Sequence, residues 1–157
     1  MSTSHSVVIA GAGPVGCFLA LYLAQRGVDV LLLEKERELP VDLRASTFHP
    51  PTLEMIAGLG HGIIEEMLER GLKADSYQYR DRRSNEVASF DMSLLQDVTD
   101  YPFRLQLEQY EFTRIAVRKL ACMSNVDVRF AHEVTGFEQS EDGVAVEVLA
   151  SEQTQLV

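Results

Sequence analysis

The N-terminal part of the chain places a segment of helical periodicity between two short, mostly apolar runs. Those runs, Ser6–Ala10 and Asp29–Glu34, are typical of strands buried on both faces of a sheet. The segment between them, Pro14–Arg26, predicts a helix that Gly27 ends. Strand, helix and strand in this order predict a βαβ unit with parallel strands.

The rest of the chain changes between helical and alternating patterns several times. Two short helices are expected, one opening near Pro51 and ending at Gly60, the other running from Gly62 to Arg70 before Gly71. The remaining predicted elements are a hairpin of DSYQYR and EVASFD, a strand PFRLQL, a helix Gln109–Met123, a strand DVRF, and a final hairpin turned at Asp142 and Gly143. The fold class is therefore predicted as α/β: a Rossmann-like βαβ core with a parallel sheet and an added antiparallel β segment. No repeat or linker marks an internal domain boundary.

Composition narrows the classes of partner. A length of 157 residues with 46% hydrophobic and 24% charged residues fits one ordinary globular domain. A net charge of −10 repels nucleic acid and anionic membrane surfaces, so neither is expected as a partner, and the apolar runs are too short to span a membrane. Cys17, Cys122 and the four histidines have no metal-ligand spacing, so no metal site is predicted. Both cysteines are expected to be reduced core thiols of a cytoplasmic protein.

One loop carries the chemistry that can be read from the sequence. Gly11, Gly13 and Gly16 form a GxGxxG motif directly after the first strand, and Glu34 ends the second strand eighteen residues after Gly16. Gly11 permits the sharp turn, Gly13 lets the backbone approach a pyrophosphate, and Gly16 lets helix and strand pack closely. The free N–H groups of the helix start then favour an anion, and the Glu34 carboxylate suits a ribose hydroxyl pair.

The loop identifies a dinucleotide site but leaves two dinucleotides open. FAD and NAD present the same ADP half to a βαβ unit, so this geometry does not separate them. The Glu34 carboxylate would repel a 2′-phosphate, which disfavours NADP at this site. The choice between FAD and NAD therefore depends on other parts of the chain.

Three segments resemble the class A flavoprotein monooxygenases, the group that includes p-hydroxybenzoate hydroxylase. They are the GAGPVG loop, the segment LRASTFHPPTLEMIAGLG and the segment LQLEQYEFTRIAVRKL. The resemblance implies FAD as the cofactor and NAD(P)H as its transient reductant, with the reduced flavin and dioxygen hydroxylating an aromatic or similar small molecule. The whole chain matches only the N-terminal, FAD-binding part of that family.

The resemblance also implies which residues contact FAD. The ADP half would lie on the glycine loop, and Arg44 would reach the pyrophosphate while Gln109 contacts the middle of the cofactor. The alternative roles are a solvated loop arginine for Arg44 and a polar helix-start residue for Gln109. The full set of expected cofactor-binding residues is Gly11, Gly13, Pro14, Val15, Gly16, Glu34, Lys35, Arg44 and Gln109.

Two later signatures of the family, an aspartate-glycine and a glycine-aspartate segment, have no counterpart. Asp142 and Gly143 form a hairpin turn between two β-patterned runs and do not supply the first of them. Residues 1–157 are therefore expected to be a truncated FAD-binding part without a substrate domain, and no catalytic residue is assigned. Two alternatives stay open: a non-catalytic NAD-binding or sensing module, and an inactive remnant that self-associates through exposed sheet edges.

Overall fold

The computed structural model describes residues 4–41, 43 and 45–150, and the backbone of 153–156. Its strands and helices alternate along the chain and divide into two compact units. In chain order the elements are β1 (Val7–Ala10), α1 (Pro14–Ala24), β2 (Val30–Leu33), β3 (Thr47–Phe48), α2 (Pro50–Ala57), α3 (Ile63–Arg70), β4 (Leu72–Ala74), β5 (Ser76–Arg80), β6 (Val87–Asp91), the 3-10 helix Met92–Leu95, β7 (Arg104–Gln106), α4 (Gln109–Leu120), β8 (Val126–Arg129), β9 (His132–Gln139), β10 (Val144–Ala150) and β11 (Gln153–Leu156).

The division into units does not follow chain order. The first unit combines the residues up to 42 with those from 112 onward, and the second unit is the interval Leu43–Glu111. One division falls inside α4, between Glu111 and Phe112. The sequence shows no change of composition at either point, which is why neither was expected.

A parallel three-stranded sheet forms the centre of the first unit. β2 lies between β1 and β8 and pairs in parallel with both, with Val30 opposite Val7 on one side and Val126 on the other. All four residues of β2 are buried, as its uninterrupted apolar sequence requires. The predicted parallel βαβ unit is therefore confirmed.

An antiparallel sheet of β9, β10 and β11 packs against this parallel sheet. Leu31 and Leu33 of β2 form one buried cluster with Val146 and Val148 of β10. Helix α1 also packs against β1 and β2, and it buries Cys17, Ala20, Leu21 and Ala24. The strands from both ends of the chain thus share one core.

Asn125 connects three elements of this unit through its side chain and backbone. Its Nδ2 donates to the carbonyl oxygens of Ala24 and Val28 at 2.9 and 2.8 Å, and its own carbonyl accepts from Val30 N–H at 3.0 Å. The end of α1, the start of β2 and the start of β8 are therefore held by one residue.

The second unit has a small mixed core. β7 pairs with β3 on one side and β4 on the other, both antiparallel. Its buried apolar residues come from this sheet, from α2 and α3, and from the segments that follow α2 and β7: Phe48, Leu53, Ile56, Leu59, Ile63, Ile64, Met67, Leu105 and Leu107. Both predicted helices are present: α3 ends before Gly71 as predicted, whereas α2 ends before Gly58 and not at Gly60.

The hairpin β5–β6 is a two-stranded ribbon in which every residue is exposed. Tyr77, Tyr79 and Phe90 share one face, and the Tyr77 and Phe90 rings lie 6.1 Å apart. The hairpin was predicted from its alternating pattern, and its register confirms that prediction.

The two cysteines differ in burial. Cys17 is buried, but Cys122 is exposed two residues after the end of α4, so the expectation that both are core thiols was wrong for Cys122. Its position after the last helical residue places it outside the apolar face of α4.

Within the described residues, no helix has the length and apolarity needed to cross a membrane.

Candidate dinucleotide site

The glycine loop leaves β1 in a conformation that only glycine adopts easily. Gly11 has a φ of +100° and donates its N–H to the Leu33 carbonyl oxygen at 2.6 Å. This bond joins the loop to the carboxyl end of β2. The sharp turn predicted for Gly11 is therefore confirmed.

Gly13 and Gly16 lack side chains for two different reasons. A Cβ on Gly16 would lie 2.0 Å from the Gly11 carbonyl oxygen, so the fold itself excludes a side chain there. A Cβ on Gly13 would meet no protein atom within 4 Å, and its φ of −71° is open to any residue. Nothing in the described protein fills the space beside Gly13, which is the space a pyrophosphate would need.

Helix α1 directs its N-terminus at this space. Pro14 is the first residue and has no N–H, while Val15 is 79% exposed. The first intrahelical bond runs from Cys17 N–H to the Gly13 carbonyl at 2.9 Å, so the N–H groups of Val15 and Gly16 precede the helical ladder. No acidic side chain lies in the first turn, and the positive end of the helix dipole favours an anion there.

Glu34 is held against the same loop by two hydrogen bonds. It is only 8% exposed; its Oε2 accepts from Ala12 N–H at 2.8 Å and its Oε1 from Glu36 N–H at 3.0 Å. Each carboxylate oxygen has a further lone pair that can accept from a ribose hydroxyl. The sequence predicted the position of Glu34 but gave no sign that it also fixes the loop.

A cleft of about 300 Å³ opens beside Glu34. It is lined by residues at the ends of β1 and β2 and at the start of β9. They are Ala10, Gly11, Leu33, Glu34, Lys35, His132, Glu133 and Val134. The bond from His132 N–H to the Glu34 carbonyl, at 2.9 Å, brings β9 to this place. No sequence pattern indicates the three β9 residues, because their chemistry is that of an ordinary strand and they lie far from the loop in the chain.

Cys17 is the only side chain of α1 with a described hydrogen bond to the loop. Its Sγ–H donates to the Ala12 carbonyl oxygen at 3.2 Å. Burial, and secondarily the negative charge of Glu34, raises the pKa of the Cys17 thiol to about 12. The group is therefore a protonated donor at neutral pH and not a nucleophile.

The family resemblance also implied Arg44 and Gln109 as cofactor-binding residues. Arg44 lies outside the described residues. Gln109 opens α4 in the second unit and donates its N–H to the Ala45 carbonyl at 2.9 Å, which places it beside the chain neighbour of Arg44. The structure thus brings together the glycine loop, Glu34 and Lys35 in one unit and places Gln109 in the other.

The second unit has a cavity of about 560 Å³ beside Gln109. Its lining consists of Ser46, Arg70, Gln106, Leu107, Glu108, Tyr110 and Glu111. Arg70 contacts Glu111 at 2.7 Å and Glu66 at 2.6 Å, and the hydrogen bond that its guanidinium donates to Glu111 is the main reason that the pKa of Arg70 is raised. Since two carboxylates compensate Arg70, this cavity has no excess of positive charge from it. No metal-binding group of three acidic, histidine or cysteine side chains occurs in the part of the chain that the structure describes.

Comparison with known proteins agrees with this geometry. The model of the FAD binding domain family matches residues 4–156. The chain is 32% identical over 146 residues to 6-hydroxy-3-succinoylpyridine 3-monooxygenase of Pseudomonas putida, which covers 93% of the chain and 37% of that enzyme.

Solved structures give the same result. The p-nitrophenol 4-monooxygenase of Pseudomonas putida superimposes with a TM-score of 0.91 at 31% identity, over 99% of this chain and 39% of that one. The myxobacterial chondrochloren halogenase, an FAD-dependent halogenase, superimposes with a TM-score of 0.82 at 28% identity, over 97% and 35%. The chain thus spans little more than a third of the length of these relatives. With the family model matched along almost its whole length and a site that fits a dinucleotide, the chain belongs to the FAD binding domain family.

Proposed function

We propose that this chain is the FAD-binding part of a flavin-dependent monooxygenase that hydroxylates an aromatic small molecule with NAD(P)H and dioxygen. The observation that carries the proposal is the unfilled space beside Gly13, which lies between the N-terminus of α1 and the buried Glu34 carboxylate. The pyridine and nitrophenol monooxygenases among the relatives support the reaction class.

The described residues fit the ADP half of FAD. The N–H groups of Val15 and Gly16 would hold the pyrophosphate, with Pro14 setting the start of the helix. The spare lone pairs of Glu34 would accept from the ribose hydroxyls. Lys35 and the β9 residues of the 300 Å³ cleft would then border the adenosine end.

The remaining parts of FAD are assigned to residues of the second unit. Arg44 would pair with pyrophosphate oxygens through its guanidinium, and Gln109 would contact the middle of the cofactor. The bonds of Gln109 to Ala45 and of Leu107 to Ser46 support the assignment of Gln109, because they fix the backbone at the start of α4. Bound flavin would supply the oxygen-transfer chemistry, while this chain binds and orients it.

The halogenase among the solved structures favours a second candidate. Its FAD-binding part has the same fold at 28% identity, so this domain is compatible with flavin-dependent halogenation as well. Aromatic hydroxylation remains the first proposal because the monooxygenases cited here are the more similar proteins. We also infer a cytoplasmic location, which the two free cysteines support.

A titration of the purified chain with FAD tests the binding proposal, with flavin fluorescence as the measurement and NADH as the competitor. Saturable binding of FAD that NADH does not displace is expected. The matched control is Gly13→Val, which keeps an accessible backbone conformation but fills the space proposed for the pyrophosphate.

Two results would contradict the proposal. Displacement of FAD by NADH would favour a nucleotide-sensing module, the alternative left open by the sequence. A folded chain that binds neither nucleotide would favour an inactive remnant.

A further inference from the structure

Ala12 joins two consecutive peptide groups, and a side chain holds each of them. Its N–H donates to Glu34 Oε2 at 2.8 Å, and its carbonyl oxygen accepts from Cys17 Sγ at 3.2 Å. Ala12 is 1% exposed and Cys17 is fully buried, so water does not compete for these bonds. Ala12 is the residue between the two glycines at which the chain turns from the strand toward the helix.

Cys17 makes a second contact with the same loop. Its backbone N–H donates to the carbonyl of Gly13, at 2.9 Å, while its side chain reaches Ala12. Two successive carbonyls of the loop are therefore directed toward Cys17, into the protein. Glu34 therefore holds the Gly11–Ala12 peptide group at its N–H, and the Cys17 thiol holds the Ala12–Gly13 peptide group at its carbonyl. The Gly13 N–H lies in the second of these groups, so the thiol contact restricts its direction.

The donor in this contact is the thiol proton. Burial and the charge of Glu34 keep the thiol protonated, since they raise its pKa to about 12. The Ala12 carbonyl is an acceptor, so an apolar side chain of similar size at position 17 would fill the volume but leave this contact unmade.

We propose that Cys17 is a positioning residue for the cofactor: its thiol orients the Ala12–Gly13 peptide group so that the loop is ordered for a pyrophosphate before binding. The proposal rests on the FAD binding proposed above and goes beyond it, because the GxGxxG motif does not specify a donor at this position. A loop that is ordered beforehand loses less conformational entropy when the ligand binds, so removal of the donor weakens binding.

Three substitutions at Cys17 separate the effect of the hydrogen-bond donor from the effect of side-chain volume. Cys17→Val fills the site without a donor, Cys17→Ala removes both, and Cys17→Ser keeps an O–H donor. The Kd for FAD is expected to rise roughly three- to tenfold in the Val and Ala variants and to stay within about twofold in the Ser variant. Leu21→Val, at a buried position of α1 without a described hydrogen bond to the loop, is the matched control for loss of helix packing.

Each variant is measured by flavin fluorescence titration and by urea unfolding without FAD. Leu21→Val is expected to lower the unfolding midpoint and leave the Kd unchanged. The positioning role is overturned if Cys17→Val and Cys17→Ala bind FAD with the Kd of the parent, or if Cys17→Ser loses as much affinity for FAD as Cys17→Val does. The proposal of FAD binding would stand in either case. If the parent itself does not bind FAD, the proposed function fails and this inference fails with it. If Cys17→Ala does not fold, the comparison of Cys17→Val with Cys17→Ser decides whether the donor is needed.

Discussion

At the scale of single residues, the three loop glycines meet three different physical requirements within one motif. Gly11 supplies a backbone conformation, Gly16 supplies clearance from a carbonyl oxygen, and Gly13 supplies space that no protein atom uses. Only the last of these is a requirement of the ligand. Substitutions in the motif should therefore distinguish effects on folding stability from effects on FAD binding.

Gly13→Ala and Gly16→Ala provide this comparison. Gly13→Ala is expected to unfold at nearly the parent urea midpoint and to bind FAD weakly, because its methyl group enters only the ligand space. Gly16→Ala is expected to lower stability by about 2 kcal/mol or more, the scale for a forced core distortion. Urea unfolding and FAD titration of both variants check this. Equal loss of stability in the two would mean that the space beside Gly13 is not free.

Glu34→Gln tests whether the carboxylate has a structural function apart from the ribose. One amide NH₂ of the glutamine would face the N–H of Ala12 or of Glu36, so one buried donor loses its acceptor. A loss of about 1–3 kcal/mol in the free energy of unfolding is expected without any nucleotide. Glu36→Gln, at the exposed neighbouring carboxylate, should leave the urea midpoint unchanged. An unaffected Glu34→Gln variant would show that the two bonds do not stabilise the loop.

The Cys17 thiol gives a prediction for alkaline pH. Its pKa is raised from an ordinary 9.0 to about 12 in the folded protein. Below pH 9 both the folded and unfolded states keep the proton; above it the unfolded thiol ionises first, so stability is lost as the pH rises toward 12. The free energy of unfolding should fall by up to about 1.4 kcal/mol per pH unit relative to Cys17→Val. Parallel stability curves for the two proteins over this range would contradict the prediction.

At the scale of elements, the sequence predicted local structure and missed long-range placement. The βαβ unit, α2, α3 and both hairpins follow from apolar periodicity and from glycines at their ends, signals that lie within each segment. The start of β9 beside Glu34 and the bonds of Asn125 join residues far apart in the chain, and no local pattern carries that information. For the site, the loop and Glu34 were therefore predictable, whereas His132, Glu133, Val134 and the part played by Cys17 were not.

Asn125→Ala tests the connection between α1, β2 and β8. It removes two side-chain donors from the Ala24 and Val28 carbonyls and leaves the backbone bond to Val30 in place. The free energy of unfolding should fall by about 1–3 kcal/mol. Ser124→Ala, at the exposed adjacent position, is the control. A loss no larger than in this control would mean that the two bonds have no net stabilising effect.

At the scale of the whole molecule, the β5–β6 ribbon departs from an ordinary protein surface. Two-stranded ribbons are marginal by themselves, and this one exposes the aromatic rings of Tyr77, Tyr79 and Phe90 on one face. Such a face favours association at high concentration. Self-association was expected from the sequence through sheet edges, and the ribbon is a second route to it.

Phe90→Thr tests this route. Phe90 is 56% exposed, so the substitution should reduce both the fluorescence of a bound hydrophobic dye and the self-association seen by analytical ultracentrifugation. The free energy of unfolding should change by about 1 kcal/mol at most, the scale of one cross-strand ring pair. Ser89→Thr, on the opposite face, serves as the control. If Phe90→Thr associates as strongly as the parent, the ribbon is not responsible.

The position of β2 between β1 and β8 has a consequence for synthesis on the ribosome. β1, α1 and β2 emerge early, but β2 pairs on its second side with residues that follow only after the entire interval Leu43–Glu111 has been translated. At roughly 5–20 residues per second, this leaves an apolar strand with one unpaired edge for several seconds. The second unit can form its own core during that delay, since all of its strands pair within the interval. The nascent first unit is therefore open to misfolding and aggregation for longer than the inserted second unit is.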